Sequence, residues 1–196
     1  MPHETPRTAH KSPRQTRSNK LLRKEGKNMV FTIGMPSMKL SNVQGKGGKH
    51  CGNFTKVAKE ALKERQGVDN DIDPNKADQN IYEGYEYAND LIRYSTQHIK
   101  ELNEWRAANG VRNCDKRKLR SDTVVMCVTI FKPPAQLMKQ LSADRQLQLL
   151  KDCIEIFKTF VGAQNIKAVA YHRDEVVWHA HVFWEPMTDE HRICAK

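Results

Sequence analysis

The chain has 196 residues, a formal net charge of +10 and 29% charged residues, with a mean hydropathy of -0.74. That length suits one domain with a real core, and its longest apolar run, 124–131, falls far short of the ~20 residues that cross a bilayer, so no membrane segment is expected. Five cysteines (Cys51, Cys114, Cys127, Cys153, Cys194) are odd in number, scattered and without a Cys-x-x-Cys pair, which reads as reduced, cytosolic thiols.

The charge is unevenly spread. Residues 1–28 hold eight Lys/Arg against two Glu, or +6, which leaves 25 basic and 21 acidic residues, or +4, for the rest. This stretch is rich in Pro, Thr, Ser and Arg and nearly free of large apolar residues, so it is expected to be a disordered basic tail that attracts phosphate backbones non-specifically, or simply a solvated extension ahead of a start at Met29. The pattern turns apolar at Met29, and 29–35 reads as a strand. A glycine-rich basic loop follows, Gly45-Lys46-Gly47-Gly48-Lys49-His50. Its glycines allow close backbone approach to a phosphate and Lys39, Lys46 and Lys49 supply charge, but it lacks the Gly-Lys-Ser/Thr spacing of a Walker A loop.

A helix is expected over 54–65, with Asn53 as N-cap and Gly67 as stop. The polar step 69–74 lacks the glycine and terminal glutamate of a calcium loop, so it reads as a capped turn. Helical spacing resumes over 86–108, where Leu91, Ile92, Ile99, Leu102 and Trp105 form a core stripe. His98 on that helix reads as a partly buried or surface histidine. Positive charge then gathers in 113–120 (NCDKRKLR), where Arg117 and Arg120 can hold a phosphate or form a solvated basic turn. A strand is expected over 122–131, broken by Pro133-Pro134. Ser142 caps a helix reaching Val161, with Leu147, Leu150, Ile154, Phe157 and Val161 as its apolar face and Gly162 as its end.

The last stretch, 171–186, reads YHRDEVVWHAHVFWEP. Strand alternation puts His179 and His181 in one row. The segment 166–172 also alternates, and a fold-back at Arg173-Asp174-Glu175 brings His172 across from the pair. Three neutral imidazoles with an open position suit a catalytic divalent metal, and Asp174 and Glu175 stand close enough to orient a ligand ring through its second nitrogen. The competing reading is two solvated or structurally bonded histidines.

The run His172-x-Asp174-Glu175, His179-x-His181 and a hydrophobic exit to Pro186 resembles the metal motif of plasmid mobilisation relaxases of the MobV type, also called Pre or plasmid recombination enzymes. Those proteins usually have proline where this chain has Trp178. Other landmarks are similar: Met35-x-x-Met38-Lys39, Asn42, and Lys49-His50, whose histidine is the nucleophile in members that use one. Asn53 stands where an arginine commonly follows it. Asn70-Asp71-Ile72-Asp73-Pro74 leading to Asn80 and Tyr82-Glu83 resembles the second landmark, with Tyr82 the nearest tyrosine alternative to His50 as nucleophile. Arg117 and Arg120 match an Arg-x-x-Arg step. The resemblance covers nearly all of 29–187.

What this implies is an α+β fold of the HUH relaxase type, an antiparallel sheet with helices on one face and a three-histidine metal site on the other. The implied organisation is a tail (1–28), a truncated catalytic domain (29–187) and a C-terminal tail (188–196). The implied activity is metal-dependent, site- and strand-specific DNA nicking and joining through a covalent link to a 5′ phosphate, in a bacterial cytoplasm. Its expected partner is single-stranded or supercoiled plasmid origin-of-transfer DNA. His172, His179 and His181 would ligate one ion, manganese, with magnesium or zinc as alternatives. His50 or Tyr82 would attack, Glu175 would assist, and Lys39, Lys49, Arg117 and Arg120 would bind phosphate. The alternative is a DNA-binding remnant that keeps the fold without the chemistry.

Overall fold

The structure, a computed structural model, describes residues 32–34, 37–39, 51–64, 72–109, 123–189, 192 and 193. Segment 1–28, the loop 45–50 with Lys49 and His50, and the step 113–120 with Arg117 and Arg120 lie outside them.

Among the described residues, six strands form one antiparallel sheet. They are β1 (Thr32–Gly34), β2 (Ser37–Lys39), β3 (Ile81–Gly84), β4 (Val124–Lys132), β5 (Ile166–His172) and β6 (His179–Trp184). The order is β1-β4-β6-β5-β3, and β2 also pairs with β4. The strand expected over 29–35 is β1 at 32–34, and β2 follows it on the same edge of β4, toward the other end. The helices are α1 (Cys51–Ala61), α2 (Ala88–Ala108), the single turn α3 (Ala135–Met138) and α4 (Ala143–Val161).

Helix ends follow local chemistry. Ser142 adopts an extended conformation and its hydroxyl accepts from the Arg145 N–H, while Gly162 closes α4 at φ 84°, a conformation natural only to glycine. Pro133 and Pro134 end β4 as expected, and α3 follows directly. Asn53 is not an N-cap: α1 starts two residues earlier and encloses it. Asp73 does cap, its carboxylate accepting from the Asn75 N–H at the start of a 3₁₀ turn, Pro74–Gln79, so the capped-turn reading holds there.

Period-two alternation sorts the sheet's side chains into two layers. Phe131, Val169, Tyr171, Ala180 and Val182 meet Leu150 and Ile154 of α4, with Phe157 edge-on to Phe131 and Trp184 at 5.4 and 5.6 Å. The other face carries Met126, Val128, Ala168, Ala170 and Phe183, and along β5 and β6 the same rows continue into His172, His181 and His179. So α4 covers the face opposite the histidines, as expected. In addition, α1 and α2 cover the apolar end of the histidine face through Ala58, Ala61, Leu62, Leu91 and Ile99. A one-residue slip of β6 would turn His179 and His181 toward Leu150 and Ile154, at the ~1–3 kcal/mol per unpaired buried polar group seen in proteins.

Gly84 ends β3 at φ 78°, and a Cβ there would lie 2.1 Å from the Lys167 carbonyl oxygen of β5. Gly84→Ala therefore costs roughly 1–3 kcal/mol for the left-handed backbone alone, plus the displacement of β5. Thermal melting should show a clear drop; an unchanged melting temperature would mean the β3–β5 contact relaxes freely.

Candidate functional site

The β5–β6 hairpin sets His172 directly opposite His179 and His181 opposite Ala170. The ring centroids of the three imidazoles are 4.8 to 5.0 Å apart, and one donor nitrogen from each lies within 4.8 Å of the others. His179 and His181 bring their Nε2 atoms to 3.0 Å. Nitrogens at that distance either share a proton or, both unprotonated, form two adjacent ligands of one cation.

Second partners fix the rings. His172 Nε2–H donates to the Ala61 carbonyl at 2.9 Å, and His179 Nδ1–H points at the Val177 carbonyl at 3.1 Å and the Glu175 Oε2 at 3.3 Å. That hydrogen bond leaves the lone pair of His179 on Nε2, toward His181. Glu175 Oε1 also stands 3.7 Å from His172 Nδ1, so this half-buried carboxylate sits beside both rings and accepts from His179. Lys132, at the end of β4, lies 3.8 Å behind it. Sequence reasoning passed over Lys132; its signal is two-residue spacing from Ile130, which pairs with His181, but that is visible only once β4 is known to neighbour β6. Asp174 is buried yet lines a neighbouring pocket with Tyr82 and Lys63.

The turn is held from β3. Asn80 Oδ1 accepts from the N–H groups of Arg173 and Asp174 at 2.7 and 3.2 Å, Asp73 N–H donates to the Asp174 carbonyl, and Ile72 bridges Glu175. Trp178 stacks under Arg173, 4.6 Å from guanidinium to ring, so the residue at the family's usual proline position clamps the turn in another way.

Charge suits cation binding. Burial pushes the His179 imidazole down from 6.5 to about 4; the neighbouring His172 adds to this, and Glu175 opposes it. His179 is therefore neutral near pH 7, the form a metal ion requires. Three close imidazole donors, a carboxylate behind His179 and ring orientations fixed by carbonyls fit one divalent ion.

Other residues singled out from sequence fall elsewhere. Tyr82 lies on β3 opposite Ala170, half-buried beside Lys63, whose ammonium is 5.7 Å from its ring. Lys39 belongs to β2. His98 binds the buried Glu185 carboxylate at 2.9 Å, which Lys167 also meets at 3.3 Å. The larger cavity near His98, about 710 Å³, shares no lining residue with the histidine site. Cys127 and Cys153 are free thiols, and burial raises Cys127 to about 11, so it is protonated and inert at neutral pH.

The depressed His179 fixes a pH dependence for the metal-free protein. The unfolded chain protonates this ring below about 6.5, the folded one only below about 4, so between them the unfolded state binds more protons and stability falls as pH drops through that window. Chelator-treated protein should lose on the order of 2 kcal/mol from this ring between pH 7 and pH 4. His179→Gln should flatten that slope in urea melts; an equal slope in the variant would assign the loss to other groups.

The family of plasmid recombination enzymes (Mob_Pre) matches residues 47–196. A plasmid recombination enzyme of Bacillus thuringiensis is 27% identical over 171 residues, 86% of this chain and 33% of that protein. A type 1 plasmid recombination enzyme of Staphylococcus aureus is 30% identical over 81 residues, 41% of this chain and 20% of its own. The chain thus spans about a third or less of the length of these relatives. Its fold resembles a manganese-bound crystal structure of the MobM relaxase domain with plasmid pMV158 oriT DNA, at TM-score 0.57 and 20% identity over 85% of this chain and 74% of that one. A second manganese-bound complex of that domain gives TM-score 0.57 at 19% identity, with the same coverage. The family match spans about three quarters of the chain and takes in the whole histidine hairpin, and the chain belongs to the plasmid recombination enzyme family.

Proposed function

We propose that the chain is the DNA nicking and joining part of a plasmid relaxase. The observation that carries this reading is the convergence of His172, His179 and His181 on one sheet face, with Glu175 behind them. Those three imidazoles hold one divalent ion, manganese by analogy with the MobM relaxase-domain complexes. Bound there, the ion supplies Lewis-acid polarisation of a scissile phosphate.

The chain's own residues do the rest. Glu175 keeps His179 in the tautomer that presents Nε2, and the Ala61 carbonyl fixes the His172 ring. His50 attacks the phosphorus as a neutral imidazole; an N–P bond forms, the P–O3′ bond breaks, and the departing 3′ oxygen takes up a proton. Reversal by a 3′ hydroxyl rejoins the strand. Lys39, Lys49, Arg117 and Arg120 bind flanking phosphates of single-stranded or supercoiled origin DNA, and Tyr82 is the alternative nucleophile. The second reading, a DNA-binding remnant without strand transfer, draws on Asn53 at the place where relatives commonly carry arginine.

Two measurements test this. Manganese should raise the melting temperature of the chain and bind by calorimetry at one site. His179→Ala should abolish both effects, and Glu175→Gln should weaken affinity about 10- to 100-fold; unchanged binding in His179→Ala removes the site. Labelled single-stranded origin DNA should yield a covalent adduct that is acid-labile and absent in His50→Ala. An acid-stable adduct lost in Tyr82→Phe would move attack to Tyr82, and no adduct on any origin strand would leave the remnant.

A further inference from the structure

A cation meets the histidine cluster from the neighbouring strand. β4 pairs with β6 so that Ile130 stands opposite His181 and Phe131 opposite Ala180, and the next step of that register brings Lys132 level with His179. Phe131 belongs to the layer under α4, so alternation sends Lys132 to the histidine face. On its other side the Lys132 backbone is held by Thr32 of β1. The ammonium lies 3.8 Å from Glu175 Oε2. Behind burial and His172, its charge is a further influence that lowers the His179 imidazole.

Glu175 does not use this cation up. At 3.8 Å the two charges attract but are not hydrogen-bonded, because N–H···O bonds span about 2.7–3.2 Å, so the contact takes none of the three ammonium donors. Of the Lys132 side chain 46% is exposed, against 13% of Glu175, and a pair so long and so wet adds little to stability. Two other cations around the hairpin are committed: Lys63 binds Glu86, and Arg173 lies on the Trp178 ring and reaches the Gln79 carbonyl. The charge count points to a polyanion. Ligating imidazoles are neutral, so a divalent ion together with Lys132 outweighs Glu175 by two charges. Two successive phosphodiesters balance that surplus, one at the ion and one at the ammonium.

We propose that Lys132 binds the phosphate next to the scissile one on the same strand and so sets how that strand lies over the ion, an assignment that rests on the nicking reading above. Lysine meets phosphate as a point charge, so the contact positions the backbone and carries no base preference. Without DNA, Glu175 draws the ammonium toward the site. With DNA, the phosphate oxygens accept the hydrogen bonds that Glu175 leaves unused.

The test follows two fluorescent single-stranded probes of about 20 nucleotides, one of mixed sequence and one of thymidine alone, across a salt series in manganese. Lys132→Met should weaken both by the same factor and reduce the slope of log affinity against log salt by about 0.7, the counterion release of one phosphate on a single strand. Lys132→Arg should restore both quantities, and Lys132→Gln stands in if the methionine variant fails to fold. Manganese affinity by calorimetry should stay at the parental value in every variant. Lys158→Met removes the same charge from α4, on the opposite face of the sheet, and should leave the slope unmoved. An unchanged slope in Lys132→Met, a loss confined to one probe, or an equal change in Lys158→Met would each overturn the contact. A fall in manganese affinity that matches the fall in DNA affinity would overturn it as well, since Lys132 would then act through Glu175. Manganese binding also separates the two readings: if it is intact and the slope is unmoved, only the Lys132 contact falls, whereas a parental chain that binds neither manganese nor either probe takes the nicking reading down with it.

Discussion

The site depends on one register. His172 faces His179 across the β5–β6 pair, and His181 follows two residues on in the same row. Because side chains alternate strictly along a strand, any odd shift would send His179 and His181 to the face beneath α4 and dissolve the cluster. The register is pinned from both sides of the sheet. β4 pairs with β6 over five residues and β3 pairs with β5 over four, so the hairpin is central and cannot slide without breaking two other ladders. Asn80 completes the restraint by holding the turn through two backbone N–H groups.

That register places three imidazoles and Glu175 where water is scarce, a costly arrangement unless each group is matched. The matching is local: the carbonyls of Ala61 and Val177 orient His172 and His179, Glu175 accepts from His179, and Lys132 faces Glu175. Three charged imidazoles at these separations would repel strongly, and burial acts in the same sense by keeping His179 neutral. His179 is therefore already in the protonation state that a cation needs, and binding need not first expel a proton from it.

The hairpin and α4 were legible in the sequence because each shows a clean period and clear ends: alternating histidines and hydrophobics in one, Ser142 and Gly162 bracketing an apolar stripe in the other. β3 was not. Its four residues, Ile81-Tyr82-Glu83-Gly84, are too few to establish alternation, and half of them are exposed; only pairing with β5 makes them a strand. The start of α1 was misplaced because Asn53 mimics a cap, whereas the helix already runs from Cys51. Lys132 and the Ala61 carbonyl were hidden for a different reason. Both reach the histidines through tertiary contact, and a backbone carbonyl leaves no trace in side-chain patterns.

The Ala61 contact also explains where the open part of the sheet begins. The last carbonyls of a helix have no intrahelical partner, and Ala61 ends α1 directly over the sheet. Were α1 one turn longer, its side chains would extend over the imidazoles; were it one turn shorter, His172 Nε2 would lose its acceptor while remaining 1% exposed, at the ~1–3 kcal/mol cost of an unsatisfied buried donor. The helix therefore stops where its terminal carbonyl can serve the first histidine. The same stop divides one sheet face into an apolar half, packed under α1 and α2, and a polar half left for chemistry. Lys63 and Tyr82 stand on that boundary, which is why the neighbouring pocket combines an aromatic wall with polar groups.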